Sequence, residues 1–406
     1  MKPLEKLLGV GVLVSVSILY FWTTGQHPFY LDSMEFVVTS WDAGIAHPPG
    51  TPLYTLLAHL ACLIPLGSIP FRINVLTALF GGGSAFVLYL VMLQLRPLKS
   101  PAFEATVAAV IAFVVALSPA LWFQSVRAEV YSLNIFICLL LAWLTLQFKS
   151  HPEALRWPLL IAFVAGLGLA NHHLLVILTV LALLPFVFLE APLRRVLLSR
   201  NFGAIMGFGT LGFLAYLYLP LRAHDGWMMW GDPSTLGGFY SIVSAEAFHM
   251  AVTQMEKDPI PVAMIEILVK WVDLLGPILF LSSFAGLIVL VIKDRKKGLL
   301  LLSLVVVGLL AKAIMYLDVE NPDDHGYFLI GLMPLAAATM GLLHIKIPWK
   351  KAHPGAVSVA LLIALTANGA LLVSDDGNAS SLAYFPAPDA FNRHFLEEVP
   401  PESVFM

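Results

Sequence analysis

Three acids, a histidine and a proline-rich corner crowd one short stretch, FYLDSMEFVVTSWDAGIAHPPGTPLY at 29–54. Asp32, Glu35 and Asp42 stand among apolar neighbours, and His47-Pro48-Pro49-Gly50 follows. Carboxylates beside a histidine suit proton transfer, since a carboxylate accepts a hydroxyl proton as that oxygen attacks. Asp32 and Glu35 are candidate catalytic acids, and His47 is a candidate substrate-binding residue. A plainer reading competes: Asp32-Ser33-Met34-Glu35 has the form of a helix capping box opening a loop helix over 33–44. The two roles can coexist, because a capping carboxylate keeps its second oxygen free.

Further polar residues recur at the ends of apolar runs. Glu129, in FQSVRAEVYSLN, must be paired or wet at that depth, and Arg127 is a ready partner. His172 and His173 follow Asn171 between two apolar runs; adjacent histidines diverge on a helix and do not chelate as an i, i+4 pair does. They read as a hairpin turn or as holders of a phosphate or acceptor. Arg222 ends AYLYLPLR and offers a planar fork that matches phosphate oxygens, or else snorkels alone at the interface. Trp227 and Trp230 suit an aromatic belt or a sugar-stacking surface. Lys312, inside an apolar run, either snorkels or meets a lipid phosphate with Arg222 and His325.

Other chemistries lack their motifs. DVENPDDHGY at 318–327 lacks the alternation and terminal Glu of a calcium loop, so no cofactor is firmly implied and a divalent cation stays an open alternative. GGGSAF at 81–86 lacks the Lys-Ser/Thr of a nucleotide loop and suits close helix packing. H-E-x-x-H and G-x-S-x-G are missing, against metalloprotease and serine hydrolase readings. Asn378-Ala379-Ser380 is a formal glycosylation sequon.

The elements that position these residues follow from composition. The chain is 59% hydrophobic and 12% charged, with mean hydropathy +0.85, against roughly one-quarter charged in soluble domains. It reads as an all-α polytopic membrane protein. About eleven apolar runs approach span length, near 7–23, 73–95, 104–123, 130–148, 157–171, 173–189, 202–220, 274–292, 298–317, 327–344 and 356–373. Placing the N-terminus in the cytoplasm puts most Lys and Arg in inner segments and most Asp and Glu outside. The N-terminal run reads as an uncleaved first span. The outer segments are long and chemically varied, above all the first loop, 24–72, and a large loop, 221–273. In the first loop, Thr51-Pro52 opens a second helix over 52–64, too short to span, so two short interfacial helices meet at a stiff corner. Residues 1–374 form one transmembrane unit. The tail 375–406 resembles the start of a soluble outer domain, with a short helix at 388–398. A net charge of −3 gives no reason to expect nucleic acid, and Cys62 and Cys138 make no disulfide framework.

The run D-S-x-E-F…G-I-A-H-P-P-G-T-P-L-Y…R-I-N-V-L-T-A-L-F-G, with A-E-V-Y-S-L-N, N-H-H, Y-L-P-L-R, W-G-D-P and D-H-G-Y-F further on, resembles domain-of-unknown-function family 2723. That family is similar to the C-type membrane glycosyltransferases and includes a eukaryotic protein O-mannosyltransferase. The resemblance implies a helical bundle with an outer-face site that moves a hexose, mannose foremost, from a polyprenyl-phosphate-linked sugar to a protein, lipid or glycan hydroxyl with inversion. It implies a catalytic first-loop acid, matched by Asp32, while Glu35, His47, Glu129 and Arg222 fall in matching motifs. Membrane lipids are then partners, and the location is a plasma membrane, or an endoplasmic reticulum membrane in a eukaryote. Three rivals remain: a transporter or flippase, which needs ionisable residues along a mid-span path; a non-catalytic scaffold; and an intramembrane hydrolase.

Overall fold

Apolar side chains all round a helix leave lipid or other helices as the only places to bury it, and the computed structural model is built from such helices. It describes residues 1–224, 229–248, 258–315, 317–345 and 362–374, with the side chains of Lys312 and Ala313 outside the description. The tail from 375, with its sequon and the helix expected at 388–398, lies outside the described residues. Among the described residues there is no β-strand, only one isolated bridge between Ile45 and Met229.

Helix α1 (Pro3–Thr23) packs on α4 (Ile69–Leu95) and α5 (Pro101–Ala116). Between α1 and α4 lie two short helices, α2 (Asp32–Asp42) and α3 (Pro52–Cys62), as the first-loop pattern predicts. The run expected at 104–123 is broken: α5 and α6 (Pro119–Ser125) meet at 67° across Ser118, and α7 (Tyr131–Ser150) follows. The expected span at 274–292 also differs. Helix begins earlier, at Ile260, inside what reads as outer loop, and turns 120° at Gly276, whose φ of +75° suits glycine. Among the described residues, six helices are long and apolar enough to cross a membrane, or eight if each bent pair is one span.

Helix α8 (Arg156–Leu189) contains 34 residues and would be about 50 Å long if straight. Its two ends nevertheless meet the same end of α7. The Trp157 ring lies 6.1 Å from Trp143 and 6.3 Å from His151, while Glu190, just past the other end, reaches Lys149 Nζ at 3.1 Å. Gly168 and Val176 approach each other as well. The chain doubles back at His172, whose φ/ψ of −147°/89° is not helical. Two antiparallel arms with a tight turn at 171–173 result, matching the separate runs expected at 157–171 and 173–189.

The first arm lies against α9 (Phe202–Phe213) through glycines. A Cβ on Gly166 would collide with the Gly209 carbonyl, and one on Gly212 with the Phe163 carbonyl. Gly166→Leu is therefore expected to lower stability by about 1–3 kcal/mol, read as an earlier thermal midpoint in detergent. Gly207→Leu, with nothing within 4 Å of its Cβ, should not.

Charges collect at the two ends of the bundle. At one end Glu5 meets Arg96 at 2.8 Å, and Glu190 meets Lys149 and Lys296 at 3.1 and 2.9 Å. The other end carries α2, α3, the turn at His172 and segment 317–325.

Candidate active site

Asp32 and Glu35 occupy the first turn of α2, but the expected capping box does not form. Leu31 takes the N-cap position at φ +65° with no side-chain cap, and Asp32 is the first helical residue. Glu35 reaches forward instead. Its Oε1 accepts from the His47 backbone N–H at 2.5 Å, and both its oxygens lie 3.1 Å from His47 Nδ1. One carboxylate thereby ties the proline corner to the helix. The other end of α2 is held from a distance: Arg222 donates from Nε to the Ala43 carbonyl at 2.8 Å and from Nη2 to the Asp42 carbonyl at 3.0 Å. Tyr218 donates to the Gly44 carbonyl at 2.8 Å.

The break before α6 feeds a second loop beneath α2. Arg127 there is fully buried, with its guanidinium 4.5 Å over the Phe123 ring. It donates to Ser33 Oγ at 3.2 Å, to Gln124 Oε1 at 2.8 Å and to Asp323 Oδ1, and lies 3.5 Å from Glu129 Oε2. Gln124 in turn donates to the Pro322 and Asp323 carbonyls, each at 2.9 Å. Arg127 thus joins three separate segments: α2, the second loop and segment 317–325.

These segments enclose a cavity of about 610 Å³. Asp32, Glu35, Glu129, Asp323 and Asp324 line it, with His47, His172, His173 and Trp230. The side chain of Asp32 is 46% exposed, and its nearest ion-pair contact is His47 Nε2 at 3.8 Å. Glu129 is 1% exposed. Two trios, Asp32–Glu35–His47 and Asp32–Glu129–Asp323, hold one ligand atom each within 4.8 Å of one another, a spacing that a cation can bridge. Both already contain or touch a protein cation, His47 in the first and Arg127 in the second. Asp32 belongs to both trios and is tied tightly in neither.

The electrostatics follow from this crowding. Partial burial pushes the Asp32 carboxyl above its ordinary value; His47 and Arg127 pull it down, while Asp323 and Glu35 push it up. Burial alone would lower His47, but the hydrogen bond and charge of Glu35, with the charges of Asp32 and Asp323, raise it overall. Burial and Asp323 hold Glu129 well above the usual carboxylate range, against the pull of Arg127. Asp324, buried beside Asp323 and Asp318, is pushed up to about 6.

Several residues singled out from the sequence therefore converge: Asp32, Glu35, His47, Glu129, His172, His173 and Trp230 share one cavity. Trp230 reaches it because its backbone N–H donates to the Ile45 carbonyl at 3.2 Å. Arg222 does not line it and serves the carbonyl end of α2. His325 bonds the Val319 carbonyl at 2.9 Å and lines a different cavity with Lys270 and Glu320. The Lys312 side chain and Trp227 lie outside the described residues. Arg127, Asp323 and Tyr327 were missed as site residues. Their only signal was an acid-rich segment and an arginine two positions before Glu129.

The geometry agrees with what the chain is similar to. Residues 32–195 match the model of the protein O-mannosyl-transferase TMEM260 N-terminal domain, the segment from Asp32 through both arms of α8. The chain resembles the TMEM260 protein O-mannosyl-transferases. It is 32% identical over 301 residues to the mouse protein of that name, covering 71% of this chain and 41% of the relative. To the Dictyostelium discoideum protein it is 28% identical over 253 residues, covering 57% and 29%. The chain thus spans less than half the length of either TMEM260 relative. Its fold is shared with ArnT from Cupriavidus metallidurans, solved with undecaprenyl phosphate (TM-score 0.58, 14% identity, 95% of this chain and 68% of that one). It is also shared with the Archaeoglobus fulgidus oligosaccharyltransferase, solved with Zn and sulfate (TM-score 0.55, 15% identity, 97% and 58%). Those likenesses show a shared helical fold, with six to eight spans among the described residues.

Proposed function

We propose that the chain is an integral membrane glycosyltransferase that moves a hexose, mannose foremost, from polyprenyl phosphate to an acceptor hydroxyl with inversion. Asp32 is the base. One observation carries this reading: of the acids around the cavity, Asp32 is half exposed and loosely held, whereas Glu35 is bound to His47, Glu129 and Asp323 to Arg127, and Asp324 to the Asp318 backbone N–H. The acceptor O–H gives its proton to Asp32 as the oxygen attacks the anomeric carbon. The bond from that carbon to the phosphate oxygen breaks, and its electron pair leaves with the phosphate. Arg127 and His47 offset charge within both acidic trios.

The site is assigned to the non-cytoplasmic face, because the opposite end carries Arg96, Lys149 and Lys296. That face is outside a plasma membrane or inside an endoplasmic reticulum. A protein hydroxyl is the favoured acceptor, given the names of the relatives. A transport path is disfavoured because the ion pairs cluster at the bundle ends.

The test offers the purified chain radiolabelled mannose or glucose on polyprenyl phosphate, or as nucleotide sugars, with a serine- and threonine-bearing acceptor. Label should move from the lipid-linked sugar alone; transfer from nucleotide sugars alone, or from neither, overturns the proposal.

The acid side of the pH profile follows from the same geometry. Asp32 must be ionised to act, so kcat/KM should rise with pH through a value above the ordinary aspartate range. His47→Gln removes a cation that lowers Asp32, so the acid limb should move to higher pH. An acid limb that stays in place in a profile of kcat/KM would separate His47 from the titrating group.

A further inference from the structure

Two histidines with aromatic neighbours stand on the wall of the cavity. His47 has the rings of Trp230 and Phe248 6.3 and 5.9 Å away, and Asp32 and Glu35 both contact it. His172 has Tyr131 and Tyr327 at ring distances of 5.7 and 5.3 Å. Ile314, Met315 and Leu317 line the same cavity.

His172 is 7% exposed, and its Nδ1 has no hydrogen-bond partner. Leaving a buried ring nitrogen unpaired is unfavourable. Helix geometry does not bring it there; the residue leaves helical φ/ψ at the turn between the two arms of α8. The turn presents a polar group that the protein itself leaves unused, on the wall of the reaction cavity.

We propose that His172 Nδ1–H donates to the phosphate of the lipid donor and of the released polyprenyl phosphate. The inference rests on the glycosyl-transfer reading and adds to it the group that holds the departing phosphate. The unpaired Nδ1 lies on the wall of the cavity that Asp32 also lines. Apolar Ile314, Met315 and Leu317 on the same lining suit the first carbons of a prenyl chain. A neutral imidazole suits this role: it donates to the phosphate without adding a buried cation once the lipid has gone.

The test measures equilibrium binding to the full chain in nanodiscs of three probes: a polyprenyl phosphate without sugar, the matching polyprenol, and inorganic phosphate. His172→Leu removes the donor, while His172→Asn keeps an N–H near the Nδ1 position. His172→Leu should bind polyprenyl phosphate about 10-fold or more weakly, with polyprenol unchanged and His172→Asn recovering much of the loss. Inorganic phosphate should bind far more weakly than the lipid, marking a lipid headgroup rather than a free anion as the ligand. Equal binding of polyprenyl phosphate by His172→Leu and the unaltered chain overturns the inference. So does equal weakening of polyprenol, which would mean a damaged fold. If the unaltered chain ignores polyprenyl phosphate altogether, the glycosyl-transfer reading fails first and this one with it.

Discussion

Asp32→Asn is expected to reduce sugar transfer by about 100-fold or more, the span associated with losing a positioned general base, while the thermal midpoint stays near that of the unaltered chain. The amide keeps the size and shape of the side chain but takes up no proton. Stability should hold because Asp32 contributes little to the packing: it caps no helix, is 46% exposed, and makes only a 3.8 Å contact with His47. Removing a half-exposed carboxylate from a cluster of acids also relieves repulsion from Asp323 and Glu35. Glu35→Gln is the informative contrast. That carboxylate accepts from both the backbone N–H and the ring of His47, so its loss should loosen the proline corner and lower stability along with activity. The measurement is initial-rate transfer from a polyprenyl-phosphate sugar in detergent, beside a melting curve of each variant. Full turnover in Asp32→Asn would remove the base from the proposal and leave only the fold likeness.

Much of this arrangement was legible in the sequence wherever the cause was local. Pro52 at the first position of α3 and the polar break at 171–173 mark their own structures, because proline geometry and interrupted apolar periodicity act within a few residues. The capping-box reading of Asp32 and Glu35 failed for the opposite reason. The local pattern was present, but Glu35 found a better partner twelve residues ahead in His47. Arg222 is a similar case. Its sequence neighbourhood suggested a phosphate fork, whereas the fold gives it the last carbonyls of α2, 179 and 180 residues away in sequence. His325 sits in an acid-rich run that is close to the cavity in sequence, yet Asp323 and Asp324 face one cavity and His325 another. Which side chain of such a run points where depends on the register of the following helix, a tertiary property with no short-range signal.

Arg127→Met is expected to destabilise the chain by about 3–5 kcal/mol, the range for breaking a buried ion pair from one side. The sequence offers this arginine only as a neutralising partner for Glu129, but it joins three segments that have no common element. Its guanidinium is fully buried and serves Ser33, Gln124 and Asp323 together. Lysine cannot reproduce that, because a point charge lacks the planar fork, so Arg127→Lys should also lose stability, though less. Without the cation, Glu129 and Asp323 stay in a poorly solvated wall with nothing to balance them. The loss in Arg127→Met would then come mostly from stranded carboxylates rather than missing volume. That distinction can be measured. Adding Glu129→Gln and Asp323→Asn to Arg127→Met removes the uncompensated charge and should restore most of the melting temperature. If the triple variant melts as early as the single one, packing against Phe123, rather than charge, is what Arg127 supplies. If it melts late, the buried arginine is a built-in counter-ion whose presence lets several acids share one cavity, leaving Asp32 free to take the proton.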